Sequence, residues 1–188
     1  VRLFVAITPP ATALAEIDAA VAPLRAARPE LTWSSLQSWH VTLAFLGEVD
    51  DAVVPRLAVR LERAAGRRPR LELSTAGAGA FPTAPRARVL WTGVRGDPAA
   101  LRAMSAAVAA GARRAGAPPP GERRRFRPHI TLARSRQPAD LRPLVTALAD
   151  YAGPVWTADR IHLIRSYLGP RPRYESLGDW PLRVPTRR

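Results

Sequence analysis

Hydrophobic positions in this chain follow two periods in turn, and the switches between them divide it into strands and helices. The opening run Leu3-Phe4-Val5-Ala6-Ile7 is continuous, β-branched and short, and reads as a buried first strand rather than as a signal peptide. After Thr8-Pro9-Pro10 the spacing lengthens, and Leu14, Ile17, Val21 and Leu24 fall on one face of a helix. A short strand around Leu31-Thr32-Trp33 and a period-2 strand from Trp39 to Leu46 follow. Asp50-Asp51 caps a second helix carrying Val54, Leu57 and Leu61, and Arg70 to Thr75 and Ala87 to Val94 read as strands. Asp97-Pro98 starts a helix that turns Leu101, Met104 and Val108 inward. Gly116 to Gly121 contains three prolines and is a loop. A second period-2 strand, Phe126 to Ala133, leads to a helix from about Ala139 through Leu148 and a strand from Val155 to Leu168. Gly169-Pro170-Arg171-Pro172 forms a turn into a last strand, Tyr174 to Leu182, and Val184 to Arg188 is a frayed tail.

The order of elements repeats. His40 and His129 stand 89 residues apart, as do Asp51 and Asp140, and the helix starts Pro10 and Pro98 stand 88 apart. One domain of two α+β halves, roughly 1–86 and 87–188, accounts for this, with the final strands open to exchange between lobes. The lobes face each other across a cleft, and each contributes one histidine strand.

Those strands carry the same tetrapeptide, His40-Val41-Thr42-Leu43 and His129-Ile130-Thr131-Leu132, which together hold two of the three histidines. Residues i and i+2 of a strand share a face, so each copy presents an imidazole beside a hydroxyl. Imidazole titrates near pH ~6.5, so of two such groups one can take a proton while the other gives one. Phosphodiester hydrolysis needs that pair, with threonine hydroxyls donating to the non-bridging oxygens. No carboxylate flanks either imidazole, and a histidine-only site would consume nearly every histidine, so the spacing speaks against a metal. His162 lacks a threonine partner and reads as structural.

Composition narrows the chemistry. With no cysteine and no lysine, thiolate catalysis, disulfides, Schiff bases and a lysyl-nucleotide intermediate are excluded. All 29 basic residues are arginine against 15 acidic ones, a net charge of +14, which points to a polyanionic partner such as RNA. Biased codon usage accounts for arginine in place of lysine but not for the excess. Arg134, which follows the second motif, and Arg127, two residues before His129, are candidates to hold phosphate, and Arg123-Arg124-Arg125 to touch an RNA backbone. Phe45, Trp33, Trp39, Phe81, Trp91 and Tyr174 are candidates to stack on a base. Strict alternation places Phe45 opposite His40 unless the strand bulges. No apolar run long enough to cross a bilayer occurs, and a cytoplasmic monomer without an obligate protein partner is the expectation.

Trp39-His40-Val41-Thr42-Leu43-Ala44-Phe45-Leu46-Gly47 and Phe126-Arg127-Pro128-His129-Ile130-Thr131-Leu132-Ala133-Arg134 resemble the paired signature strands of the two-histidine phosphoesterase superfamily. Within it they look like those of the LigT-like RNA 2′,3′-cyclic phosphodiesterases. Arg2 to Ile7, Gly77 to Pro82, Val89-Leu90-Trp91 and Tyr174 are similar to lesser landmarks of that family. The resemblance implies an α+β, bilobal fold with two antiparallel sheets facing a basic cleft and helices outside. It implies cofactor-free hydrolysis of an RNA 2′,3′-cyclic phosphate to a 2′-phosphate, with His40 as general acid, His129 as general base and Thr42 and Thr131 gripping the phosphate. It also implies reversible, ATP-independent 2′-5′ joining of tRNA halves. Two other functions share these residues: an RNA- or nucleotide-binding module without turnover, and the same chemistry on 2′-5′ oligoadenylates or an ADP-ribose cyclic phosphate.

Overall fold

The computed structural model describes residues 1–121, 125–169 and 172–184. Strand β1 (Arg2–Ile7) leads to helix α1 (Ala11–Ala27), the two-residue strand β2 (Thr32–Trp33) and β3 (Val41–Glu48). Helix α2 (Val54–Gly66), β4 (Leu71–Phe81), β5 (Ala87–Arg95) and α3 (Pro98–Ala115) come next. Then follow β6 (His129–Ala139), α4 (Arg142–Ala147), β7 (Trp156–Ala158), β8 (Arg160–Tyr167) and β9 (Arg173–Pro181). Every strand pairing is antiparallel, in two sheets ordered β3-β1-β8-β9 and β2-β6-β5-β4-β7. The architecture is α+β, as expected.

Alternation decides which face of the first sheet is covered. Leu3, Val5 and Ile7 of β1 and Ile161 and Leu163 of β8 are buried in the main core. Against that sheet pack α2, which touches β8 and β9, and α3, which touches β3, through Leu57, Leu61, Leu101, Met104 and Val108. Each fully buried aliphatic side chain of this kind contributes about 1.5–3 kcal/mol. Asp97 caps α3 by accepting from the amides of Ala99 and Ala100 at 2.9 and 3.0 Å, and Gly116 ends it at φ +90°, as a left-handed cap requires. Among the described residues no helix is long and apolar enough to cross a membrane.

Three elements differ from the sequence reading. Strand β4 runs to Phe81 instead of stopping near Thr75, because a bulge at Gly77, φ +61°, carries the chain through small residues of low β-propensity. Strand β6 continues to Ala139, so α4 begins only at Arg142. The single strand expected over Val155 to Leu168 is two: β7 pairs with β4 in one sheet and β8 with β1 in the other. The buried positions pass from even numbers (Trp156, Ala158) to odd (Ile161, Leu163) across Asp159, which is where the chain changes sheets. Of the expected turn, Pro170 and Arg171 lie outside the described residues, as does the tail beyond Val184.

Candidate active site

Both histidine strands bulge at the same place. Along β3 the partners of Ala6, Val5 and Phe4 are Thr42, Ala44 and Phe45, so Leu43 stands opposite no residue. Along β6 the partners of Trp91, Leu90 and Val89 are Thr131, Ala133 and Arg134, so Leu132 is skipped in the same way. Directly opposed residues of an antiparallel pair project to one face, and each bulge therefore brings the residue three places after the threonine onto the threonine's face. Phe45 joins Thr42, and Arg134 joins Thr131 and His129. The alternation that set Phe45 opposite His40 fails for this reason. Ser105 of α3 donates to the carbonyl of Leu43 at 2.7 Å, satisfying a group at the irregular point of the ladder.

Each imidazole lies between two aromatic rings. His40, just before β3, has its centroid 4.5 Å from Phe4 and 5.5 Å from Tyr174. Phe4, Ala6 and Ile164 form a small apolar cluster with Tyr174, separate from the main core, on the sheet face away from α2 and α3. His129 lies 5.1 Å from Phe81 and 5.9 Å from Trp91. Trp91 can lie flat there because its neighbour across the ladder is Gly79, where a Cβ would come within 2.2 Å of the indole.

Backbone carbonyls fix the rings. The Nδ1 of His129 is 2.7 Å from the carbonyl oxygen of Arg127. A carbonyl only accepts, so Nδ1 carries the proton and Nε2 of the neutral ring has a free lone pair. The equivalent backbone, Ser38, hydrogen-bonds His40. Burial pushes the pKa of His40 down to about 4, the charge of His129 and then that of Arg134 push the same way, and the Ser38 bond opposes them. Burial also lowers His129, joined by Arg134 and opposed by the Arg127 bond. The two imidazoles thus sense each other, and Arg134 acts on both. The unperturbed titration expected from sequence does not hold: with both pKa values below 6.5, both rings are mostly neutral at pH 7.

The other expected residues divide. Thr42 and Thr131 are half-buried on the faces just described, and Arg134 and Phe45 are exposed there, Phe45 at 39%. The guanidinium of Arg2 lies 4.8 Å from the Phe45 ring centroid. Tyr174 packs edge-on against both Phe4 and His40. Arg127 precedes β6, its side chain is exposed, and the atom that reaches His129 is its carbonyl oxygen. Arg125 is exposed, whereas Arg123 and Arg124 lie outside the described residues. Trp39 is a core residue, 1% exposed, and the Trp33 indole donates to the Arg28 carbonyl. His162 is on the Thr42 face after all, in a row Thr42, Ala6, His162, Asp179 across four strands. Burial lowers its pKa, and the Asp179 charge opposes this. Phe4 escaped the sequence reading because a fully apolar strand does not mark which of its faces is covered.

Among the described residues no three histidine or carboxylate side chains cluster as a metal site would require. What faces the cleft is a set of imidazoles, His40 and His129 with His162 in the Thr42 row, two hydroxyl donors, the Arg134 guanidinium, Arg2 behind Phe45, and aromatic walls, a set suited to an anionic ester with a flat substituent.

The sequence model of the 2′-5′ RNA ligase superfamily matches residues 9–170, and the chain belongs to that family. The RNA 2′,3′-cyclic phosphodiesterase of Geobacillus stearothermophilus is 32% identical over 155 residues, 82% of this chain and 48% of the relative. The chain thus spans about half the length of that protein. The RNA 2′,3′-cyclic phosphodiesterase of Escherichia coli K12 is 33% identical over 184 residues, 96% of each chain. The crystal structure of E. coli LigT complexed with 3′-AMP matches with a TM-score of 0.73 at 29% identity, covering 96% of this chain and 97% of LigT.

Proposed function

We propose that this protein hydrolyses RNA 2′,3′-cyclic phosphate ends to 2′-phosphates, with His40 and His129 as the acid–base pair and no metal in the step. The observation that carries the reading is the matched pair of bulged strands, each setting a carbonyl-anchored imidazole beside a threonine on one face. The names of the G. stearothermophilus and E. coli relatives support the reaction, and the 3′-AMP complex of LigT supports a nucleotide ligand.

His129 Nε2 removes a proton from water, and the water oxygen attacks phosphorus in line with the 3′ oxygen. The bond from phosphorus to the 3′ oxygen breaks, His40 gives that oxygen a proton, and the phosphate stays on the 2′ position. Thr42 and Thr131 donate to the non-bridging oxygens, Arg134 balances their charge, and Phe45 and Tyr174 offer ring faces to the base. His40 must be protonated for this. The bound phosphodiester anion supplies the opposite charge that raises its pKa from about 4. Exchange with solvent returns the proton from His129 afterwards. A 5′-hydroxyl of a second RNA in place of water yields a 2′-5′ linkage without ATP, which extends the reading to joining of tRNA halves. We read the chain as one bilobal unit, since β8 and β9 complete the sheet of β1 and β3 while β2 and β4 enter the other, and as a cytoplasmic monomer.

The test is to incubate an RNA ending in a 2′,3′-cyclic phosphate with the protein in EDTA and locate the phosphate by phosphorus NMR. A 2′-phosphate is expected. Unreacted RNA that still binds favours a binding module, and activity that needs a divalent cation contradicts the metal-free step.

A further inference from the structure

A dense cluster of arginines lies outside the cleft. Between α2 and α3, on the side away from the sheet, runs a groove of about 520 Å³ lined by Arg60, Arg63, Arg67, Arg68 and Arg114 over a floor of small α3 residues including Ala107, Ala110 and Gly111. Arg56 extends it toward the end of α3, where its guanidinium lies against Gly116. Four of these arginines, at 56, 60, 63 and 67, follow one stripe of α2 and its C-cap, so each neighbouring pair is repulsive. Helix α3 contains no acidic residue and α2 only Glu62, and among the described residues no carboxylate forms a salt bridge with any of the six. Gly111 brings α3 close to α2: a Cβ there would stand 3.4 Å from the Arg60 carbonyl, in van der Waals contact. Codon bias turns lysines into arginines, but it does not gather six of 29 around one groove with so little counter-charge.

We infer that this groove, which lies behind the helices on the side of the sheet opposite the cleft, is a second RNA-binding surface that holds a sugar-phosphate backbone independently of the cleft. The stripe spans about 16 Å along α2 at 1.5 Å per residue. That is too long for one phosphate and fits several successive ones. Planar guanidiniums on a helix surface recognise phosphate in bidentate fashion without reading sequence, and Arg56, Arg63, Arg67 and Arg114 are exposed while Arg60 and Arg68 are half-buried. The choice of RNA among polyanions rests on the reaction proposed for the cleft; the groove's affinity for a phosphate chain does not.

The test separates the two. Binding of a labelled single-stranded RNA of about 20 nucleotides with an ordinary 3′-hydroxyl, which is no substrate, is measured against salt for the wild type and for the triple variant Arg60→Gln, Arg63→Gln, Arg67→Gln. The expected result is at least about tenfold weaker binding and a salt slope shallower by about 0.7 for each phosphate the variant no longer neutralises. Hydrolysis of a cyclic mononucleotide serves as the control and stays at the wild-type rate; if neither protein has that activity, an unchanged melting curve replaces it. The single variants Arg60→Gln and Arg67→Gln, each with about a third of the effect, keep the test decisive should the triple variant misfold. Wild-type affinity and slope in the variants overturn the inference, as does loss of binding to anionic lipid vesicles with RNA binding intact.

Discussion

The fifth residue after His40 is Phe45; the fifth after His129 is Arg134. Both are brought to the threonine's face by equivalent bulges, at Leu43 and Leu132, so the two half-sites share a backbone and differ in what it presents. Other features match: each imidazole is anchored by the backbone two residues earlier and lies between two rings. A repeat supplies two equivalent proton-transfer groups. Divergence at one position then gives the site a direction, with a fixed cation on the β6 side and an aromatic face, backed by Arg2, on the β3 side. The proposed reaction puts the phosphate's negative oxygens with Arg134 and the base with Phe45.

The most decisive way to break that comparison is chemical. Sulfur in place of the 3′ bridging oxygen leaves without a proton, so it should restore the activity that His40→Ala loses, about 10²- to 10⁴-fold on the oxygen substrate. It should do nothing for His129→Ala. Equal behaviour of the two variants in single-turnover rates would remove the assigned division of roles. At the divergent position, Arg134→Ala should lower kcat by about 10²-fold, whereas Phe45→Ala should raise KM about tenfold with kcat kept, since stacking is worth about 1–3 kcal/mol per base. Steady-state kinetics on a cyclic-phosphate RNA distinguish the pattern, and matching effects would make the asymmetry meaningless. Gly79→Ala forces the Trp91 ring away from its place beside His129. Urea denaturation should show a loss of about 1–3 kcal/mol, with slower turnover besides.

The pH dependence sharpens the same contrast. The profile of kcat/KM reports free-enzyme pKa values, and both imidazoles are held below their ordinary value of 6.5, His40 at about 4. A lowered pKa means that the protonated form disappears at lower pH, so the maximum of kcat/KM should fall on the acid side of pH 6.5. In kcat, which reports the bound complex, the phosphate anion should move the profile to higher pH. A kcat/KM maximum above pH 7 would show that the cleft does not depress these groups.

Much of this was legible in the chain because a repeated tetrapeptide at a fixed offset is a rare pattern. The helix start at Asp97 and the inward faces of α2 and α3 were legible as well, since capping and 3.6-residue spacing are local properties. The bulges were not, and they decide the site. Nothing in Thr42-Leu43-Ala44-Phe45 or Thr131-Leu132-Ala133-Arg134 marks an extra residue, because a skipped pairing is a property of the neighbouring strand. The same limit concealed Phe4, whose strand is apolar on both faces, and the split at Asp159, where two strands of different sheets read as one run. His162 lacks a threonine partner in the sequence, yet the pairing of β1 with β8 puts it on the cleft face. The charge of Arg127 suggests phosphate contact, whereas its carbonyl is what touches the histidine.

The central claim is that His40 and His129 act as one proton-transfer unit on a cyclic phosphate. Its most direct test is turnover of an RNA 2′,3′-cyclic phosphate, in EDTA, by His40→Ala, His129→Ala and the double variant. Each single change should lower kcat by about 10²- to 10⁴-fold, and the double change should lower it little further, because groups that act as a unit are not additive. Wild-type turnover in either single variant would contradict the account.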